Sequence, residues 1–308
     1  MSKVDLSVDL GRGLVLPNPV MTASGTFGYG EEASEYFDIS RLGAVVVKGI
    51  SAEPRQGNPP PRVVETPSGM LNSIGLQNVG VEAFLSGKLP FLRDRGARVI
   101  VNVLGSSVEE YARVCERLDG AQGLSGLEVN ISCPNVKEGG VQFGMKESLA
   151  AGLVKVLREV TGLHLMVKLS PNCGCISDMA LAVQEAGADS VSLINTITGM
   201  EIDVRTRRPV LGGVMGGLSG PAIRPVAVRM VHEVYQAVNI PVVGIGGIME
   251  GDHALQFLIA GASAVQIGTA TFTDPLAPVL VLEALQDYLQ QERLTPGDLV
   301  GSLRLDGN

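Results

Sequence analysis

The chain has 308 residues, of which 45% are hydrophobic, and it carries a formal net charge of −8. The hydrophobic content excludes intrinsic disorder and suffices for a large core. The acidic balance argues against sequence-independent nucleic-acid binding, which depends on neutralising phosphates. Four cysteines in this length exclude a disulfide-dense scaffold. The length is compatible with two domains or with one α/β barrel carrying insertions.

The apolar segments do not predict a membrane protein. The first ten residues include Lys3, Asp5 and Asp9 and lack the apolar run of a secretory signal. The longest uncharged stretch, residues 254–273, is interrupted by Gly261-Ala262-Ser263 and is typical of a buried helix, a turn and a buried strand. We therefore expect a cytoplasmic protein with reduced thiols and no membrane association.

Short apolar runs along the whole chain predict eight strands. Most of them lack polar alternation, as in Val45-Val46-Val47, which is typical of parallel strands buried on both faces. The predicted strands are Val20–Ala23, Ala44–Lys48, Arg98–Val103, Gly126–Ile131, Leu165–Leu169, Ser190–Ile194, Pro241–Gly244 and Ala264–Ile267.

Amphipathic runs between these strands predict helices. The predicted helices are Glu31–Phe37, Val81–Leu89, Val108–Leu118, Glu147–Val160, Ser177–Ala186, Ala222–Val238, Asp252–Ala260 and Pro275–Gln290. Eight strands, each followed by a helix, predict a single-domain α/β fold over residues 1–308, a (β/α)8 TIM barrel, with an open doubly wound sheet as the alternative. Pro54–Leu76 and Arg205–Gly220 are predicted to be hairpin insertions over the barrel mouth.

Polar side chains lie at the predicted C-terminal strand ends, where barrel enzymes place their active sites. They include Lys48, Asn102, Asn130, Lys168 and Asn195. Each alone could equally be a core polar group with an internal partner. Burying the whole set without polar partners would cost several kcal/mol, so together they indicate a polar ligand held by hydrogen bonds.

Two glycine-containing turns follow the last two strands. Gly246-Gly247 and Gly268-Thr269 match the phosphate site that recurs in barrels after strands seven and eight. Met249 stands where a dinucleotide fingerprint would need its third glycine. A mononucleotide such as a flavin phosphate therefore fits better than a nicotinamide dinucleotide.

Cys133 directly follows the fourth strand and could act as a general base or nucleophile, although a buried structural thiol is an equal reading of this residue alone. Cys115 lies on the apolar face of a helix and is predicted to be core. Cys173 and Cys175 are the only closely spaced pair, so no metal or iron–sulfur site is expected in this chain. The three histidines are interpreted as structural or surface residues.

With these residues assembled, the chain resembles the class 1 dihydroorotate dehydrogenases, and within them the B type, from Leu6 to Gln290. The resemblance rests on Asn18–Gly28, Val47-Lys48-Gly49, Glu65-Thr66-Pro67, Asn72–Asn78, Asn130–Asn135, Lys168–Asn172, Asn195-Thr196, Gly216–Pro221, Gly244–Ile248 and Gly268-Thr269. It implies an FMN-dependent barrel that oxidises dihydroorotate to orotate in pyrimidine biosynthesis.

Carried over residue by residue, the resemblance implies that Cys133 is the base that removes the C5 proton and that Lys48 is a second catalytic residue. Lys168 would stabilise the reduced flavin electrostatically. The implied substrate-binding residues are Lys48, Asn72, Ser73, Ile74, Gly75, Leu76, Asn130, Asn195 and Thr196. The implied FMN-binding residues are Ser24, Lys48, Gly49, Asn102, Asn130, Lys168, Ile194, Gly220, Gly246, Gly247, Gly268 and Thr269.

The resemblance also implies partners. A separate subunit carrying FAD and a [2Fe–2S] cluster would pass electrons to NAD, in a heterotetramer built on a homodimer of this chain. Cys173 and Cys175 depart from the family pattern, and we interpret them as a neutral substitution.

Three other readings remain. A dihydropyrimidine dehydrogenase-like flavoprotein acting on uracil or thymine would not need the amide donors of Asn72–Asn78 for a substrate carboxylate. A non-redox phosphate-binding barrel leaves Lys168 and Asn102 unexplained. A non-catalytic flavin carrier would not need Cys133.

Overall fold

A computed structural model of the chain describes residues 4–132 and 143–305. Eight parallel strands form the central sheet and confirm the predicted α/β barrel. They are β1 (Val20–Thr22), β2 (Val45–Ile50), β3 (Val99–Val103), β4 (Leu124–Asn130), β5 (His164–Lys168), β6 (Ser190–Leu193), β7 (Val242–Ile245) and β8 (Ala264–Ile267).

The strand order closes the sheet on itself and excludes the open doubly wound alternative. Each strand pairs with its sequence neighbour from β2 through β8, and β8 pairs in parallel with β1. A parallel bridge between Met21 and Ala44 joins β1 to β2 and completes the circle. The Thr22 hydroxyl strengthens this junction, because it accepts from the Val46 amide at 2.9 Å.

The observed helices match the predicted positions with small changes at their ends. They are Val108–Asp119, Glu147–Val160, Ile176–Glu185, Arg224–Tyr235, Gly251–Ala260 and Ala277–Glu292, with shorter helices at Ala270–Thr273 and Pro296–Leu299. The largest differences are early in the chain. Glu31–Phe37 forms only a 3₁₀ turn at Ala33–Glu35, and the helix predicted at Val81–Leu89 continues to Asp94 through a π-helical stretch at Phe84–Lys88.

The barrel interior is apolar at the N-terminal ends of the strands. Inward side chains such as Met21, Ile100 and Met166 are fully buried there. A hairpin of Val8–Asp9 with Val15–Leu16, which was not among the predicted strands, packs Leu10 and Leu16 against this layer. The hairpin closes this end, so a ligand must enter from the opposite mouth.

Two insertions cover that opposite mouth as one sheet. Val63–Thr66 and Gly69–Asn72 form the hairpin predicted within Pro54–Leu76. The second insertion begins earlier than the predicted Arg205, because Ile197–Gly199 already pairs with Gly216–Ser219. These two hairpins join through Gly216–Ser219 and Gly69–Asn72 into four antiparallel strands.

Within residues 4–132 and 143–305, no helix is both long and apolar enough to cross a membrane. Residues 254–273 contain the end of one helix, strand β8 and the short helix Ala270–Thr273, as the sequence predicts.

Candidate active site

A cavity of about 590 Å³ lies between the C-terminal strand ends and the sheet formed by the two insertions. All the predicted site residues that the structure describes line this cavity. They are Ser24, Lys48, Gly49, Asn72, Ser73, Ile74, Gly75, Leu76, Asn102, Asn130, Lys168, Ile194, Asn195, Thr196, Gly220, Gly246, Gly247, Gly268 and Thr269. Cys133 lies outside the described residues, so its position is not part of this geometry.

The cavity wall is positively charged. Lys48 and Lys168 are its only charged residues among those described, and no described Asp or Glu lines it. This polarity is opposite to the overall charge of −8. Two cations in a concave wall that has no acidic residue among those described favour an anionic ligand, and Lys48 in particular has no described ion-pair partner.

Lys48 lies in the C-terminal half of β2 and is half-buried. Burial lowers the pKa of its ammonium group, and the nearby positive charge of Arg62 lowers it further. No described acidic group forms an ion pair with Lys48. A bound anion would supply the missing counter-charge.

Lys168, at the end of β5, is only 5% exposed. Its Nζ lies 3.4 Å from the Ser24 hydroxyl and 3.8 Å from a carboxylate oxygen of Glu128. The ammonium group is therefore held at the cavity floor between a wall residue and a buried acid.

Amide groups form a second polar cluster. Asn195 donates to the Asn130 side-chain oxygen at 3.3 Å and accepts from the Thr196 amide at 2.8 Å. Asn72, on the first insertion hairpin, donates to the Gly217 carbonyl of the second at 3.2 Å. Residues from β4, β6 and both insertions are thus brought to one side of the cavity.

The segment from Ser73 to Leu76 presents its backbone to the cavity. The Ser73 amide donates to the Arg62 carbonyl at 2.7 Å, which fixes the segment at its start. Gly75 and Leu76 have positive φ angles of 73° and 60°. Within the described chain, the N–H groups of Gly75 and Leu76 have no acceptor, so they are available to a ligand carboxylate or carbonyl.

The turns after β7 and β8 form a glycine cradle. Gly246 and Gly247 have φ angles of 130° and 70°, which L residues rarely adopt. A Cβ on Gly247 would stand 2.8 Å from both the Arg224 Cβ and the Gly220 carbonyl oxygen. No described residue accepts from the N–H groups of Gly247, Gly268 and Thr269. Unpaired N–H groups beside a backbone that leaves no room for side chains fit a phosphate group.

The three cysteines that the structure describes do not line the cavity. Cys115 is fully buried, and burial raises the pKa of its thiol to about 12, which confirms it as a core residue. Cys173 is half-buried and Cys175 is exposed in the loop after β5. The described residues contain no group of three acidic, histidine or cysteine side chains that could hold a metal ion.

A buried acid that was not among the predicted site residues lies directly beneath the cavity. Glu128 is completely buried in β4 and contacts Asn102, Lys168, Ser192 and Gln266. The sequence contains the feature that identifies Glu128. It is a carboxylate in an apolar strand, two residues before Asn130 and therefore on the same face of the strand.

Comparison with known proteins agrees with this geometry. The family model described as dihydroorotate dehydrogenase matches residues 8–289. The chain is 55% identical over 304 residues to a protein of Geotalea uraniireducens (strain Rf4), covering 98% of this chain and 99% of the relative. That relative is named dihydroorotate dehydrogenase B (NAD(+)), catalytic subunit.

Relatives with the same name occur in other organisms. The Geotalea daltonii protein is 54% identical over 306 residues, covering 99% of this chain and all of the relative. The Desulforamulus reducens protein is 53% identical over 304 residues, covering 98% of this chain and all of the relative. With a cationic cavity at the mouth of a closed barrel and a family match over most of its length, this chain belongs to the dihydroorotate dehydrogenase family.

Proposed function

We propose that this chain is the FMN-binding catalytic subunit of a dihydroorotate dehydrogenase B and oxidises (S)-dihydroorotate to orotate in pyrimidine biosynthesis. The observation that carries the proposal is one cavity that combines a glycine phosphate cradle, two lysines and an amide cluster, without a described acidic residue in its wall. The relatives named above support it through their shared name. The whole of residues 1–308 would act as one domain.

The residues present fit FMN. The N–H groups of Gly247, Gly268 and Thr269 would hold its phosphate, with Gly220 and Gly246 providing space for the close backbone approach. Ser24, Gly49, Asn102, Lys168 and Ile194 would contact its ring system. When bound, FMN supplies the two-electron acceptor that the side chains of this chain lack.

The opposite wall fits a substrate that carries a carboxylate. Lys48 would supply the charge, and the N–H groups of Gly75 and Leu76 would supply donors. Ser73, Ile74, Asn72, Asn130, Asn195 and Thr196 would complete the substrate site. Because uracil and thymine have no carboxylate, this donor set favours dihydroorotate over the pyrimidine bases.

Cys133 is proposed as the general base that accepts the C5 proton of dihydroorotate. Its neighbour Ser132 lies in the cavity wall, and the Ser132 amide donates to the Asn130 side-chain oxygen at 3.1 Å. This contact ties Ser132, the last described residue before Cys133, to the amide cluster. Lys48 would hold the substrate carboxylate while the proton is removed.

The electron acceptor would be NAD, reached through a separate subunit that carries FAD and a [2Fe–2S] cluster. The words "NAD(+)" and "catalytic subunit" in the names of the relatives support this division. We propose a homodimer of this chain with two copies of the partner, acting in the cytoplasm.

An anaerobic absorbance spectrum tests the proposal. The purified chain, after incubation with FMN, should show flavin bands that dihydroorotate bleaches. A yellow protein that dihydroorotate cannot bleach would contradict the substrate assignment. A chain that stays colourless with FMN would contradict the redox function altogether.

The same assay tests the proposed base. Cys133→Ala should leave FMN binding intact and slow bleaching by a factor on the order of 10² or more, as expected for loss of a general base. Cys175→Ala, in an exposed loop, is the matched control and should bleach at the wild-type rate. Normal bleaching by Cys133→Ala would remove this residue from the mechanism.

A further inference from the structure

A carboxylate is buried beneath the floor of the cavity, where no ligand in the cavity can reach it directly. Glu128 is 0% exposed and is absent from the cavity wall, whereas its partners Asn102 and Lys168 are part of that wall. Burying a charge of this kind is costly unless it is paired and hydrogen-bonded. Its surroundings therefore call for a functional explanation.

Both carboxylate oxygens of Glu128 have partners, and these partners come from four other barrel strands. One carboxylate oxygen accepts from the Asn102 amide at 2.7 Å and lies 3.8 Å from the Lys168 Nζ. The other accepts from the Ser192 hydroxyl at 2.9 Å and from the Gln266 amide at 2.7 Å. The strands involved are β3, β5, β6 and β8.

This contact fixes the orientation of Asn102. A carboxylate can only accept hydrogen bonds, so the side-chain NH₂ of Asn102 must face Glu128. The Asn102 side-chain oxygen then faces Gly49, where a Cβ added to the glycine would stand 2.9 Å from that oxygen. Glu128 thereby decides that Asn102 offers an acceptor at this part of the cavity wall.

Glu128 also compensates the charge of Lys168. It is the only described acidic group within ion-pair distance of Lys168. At the cavity floor, the lysine therefore acts as one half of a neutral pair, whereas Lys48 has no described acidic partner. Any bound group that gains negative charge above this pair is attracted by Lys168 and repelled by Glu128.

We propose that Glu128 is a positioning residue that orients Asn102 and Lys168 toward the flavin and holds the reduction potential of the bound flavin down. This inference rests on the proposed function, because it requires FMN in the cavity. Reduction adds negative charge to the flavin, so the buried carboxylate opposes reduction while Lys168 favours it.

The midpoint potential of bound FMN in the holoenzyme tests this inference without dihydroorotate. Glu128→Gln keeps the shape of the side chain and removes its charge. The ratio of affinities for reduced over oxidised FMN should rise at least tenfold, a positive shift of about 30 mV for a two-electron couple. Ser192→Ala is the control, because it removes a hydrogen bond to the same carboxylate and leaves the charge in place.

A second background keeps the test decisive if Glu128→Gln folds poorly alone. Lys168→Met should lower the potential, because the carboxylate is then uncompensated, and adding Glu128→Gln should raise it again. Removing both members of a buried pair is often tolerated better than removing one. The thermal unfolding of each flavin-free variant separates a change in folding from a change in potential.

Each result has one meaning. Wild-type protein that does not bind FMN contradicts the proposed function. Suppose that the wild-type protein binds FMN, but that Glu128→Gln changes the ratio of affinities for reduced over oxidised FMN by less than twofold in both backgrounds. The proposed role of Glu128 is then overturned. An equal shift in Ser192→Ala would also overturn it, because a structural disturbance would then be sufficient.

Discussion

At the scale of single residues, the two lysines of the cavity differ in their surroundings. Lys168 has a buried carboxylate beside it. The only described charged group that shifts the pKa of Lys48 is Arg62, which is also positive. Burial and Arg62 both lower the pKa of Lys48 from its ordinary value of 10.5. Lys48 thus depends on an anionic ligand for its counter-charge.

The charge of Lys48 predicts how orotate binding responds to pH. Lys48→Met should weaken orotate binding about 10- to 100-fold, since a hydrogen bond to a charged group contributes roughly 1.5–3 kcal/mol. Because the pKa of Lys48 is lowered, wild-type affinity should begin to fall at a lower pH than for an ordinary lysine, as the ammonium deprotonates. Titration of the flavin spectrum with orotate between pH 7 and pH 10 measures both effects.

Lys48→Arg is the matched control for this titration. Its guanidinium stays protonated throughout, so the affinity should no longer fall over this pH range. An equal fall in Lys48→Arg would assign the titration to another group.

At the scale of elements, the glycine cradle is formed by two turns and the start of one short helix. Gly246-Gly247 follows β7, and Gly268-Thr269 follows β8 and precedes helix Ala270–Thr273. The Thr269 hydroxyl donates to the Ser219 hydroxyl at 2.8 Å, which connects the cradle to the second insertion. In the proposed function, backbone would therefore hold the phosphate end of the ligand, and side chains would contact its ring end.

Gly247→Ala should weaken FMN binding. Its φ of 70° is unfavourable for alanine by about 1–2 kcal/mol, and the new Cβ would meet the Arg224 Cβ and the Gly220 carbonyl at 2.8 Å. We expect the dissociation constant for FMN to rise about tenfold or more, measured by fluorescence titration of flavin-free protein.

Gly152→Ala is the matched control, because it makes the same chemical change at a position outside the cavity wall. Gly152 lies on the exposed face of helix Glu147–Val160, and a Cβ there would contact nothing within 4 Å. This variant should bind FMN normally and gain roughly 0.5–1 kcal/mol of stability. Equal FMN binding by Gly247→Ala and wild type would contradict the cradle.

At the scale of the whole molecule, the closed end of the barrel is fastened by a buried histidine. The His164 ring contacts the Gly11 carbonyl of the N-terminal hairpin at 3.1 Å and the Ser190 hydroxyl of β6 at 2.8 Å. Burial lowers the pKa of His164, with Arg158 and Arg12 acting in the same direction and Asp189 and the Gly11 carbonyl opposing them. The neutral ring is therefore the form that the fold accommodates.

This histidine predicts a loss of stability in mild acid. A lowered pKa means that, as the pH decreases, the unfolded chain takes up a proton before the folded chain does. The free energy of unfolding therefore decreases as the pH decreases. The contribution of His164 should be fully present above its ordinary pKa of 6.5 and should diminish as pH falls from there toward the folded-state pKa. Unfolding free energies measured in urea between pH 7.5 and pH 5 would show this slope.

His164→Gln should flatten the slope between those pH values, even if it lowers stability overall. His232→Gln, at a half-buried position on helix Arg224–Tyr235, is the control for the loss of a histidine as such. If His164→Gln retains the full slope, another group is responsible for it.

The sequence by itself determined the class of fold, the end of the barrel that holds the site, and the polar strand-end residues Lys48, Asn102, Asn130, Lys168 and Asn195 that line the cavity. These features follow from local patterns, because a buried parallel strand is a short apolar run and its last residues carry the ligand-facing side chains. Cys133 was also singled out this way, and its role stays a prediction because it lies outside the described residues.

Only the tertiary structure decided what those residues contact. Asn72 and Gly217 are 145 residues apart, yet their pairing joins two insertions into one cover. Glu128 meets Ser192 and Gln266 across 64 and 138 residues in the barrel interior. Periodicity describes which face a residue occupies but not its partner on a distant strand, so closure of the barrel alone creates the buried network and the charge balance at the cavity floor.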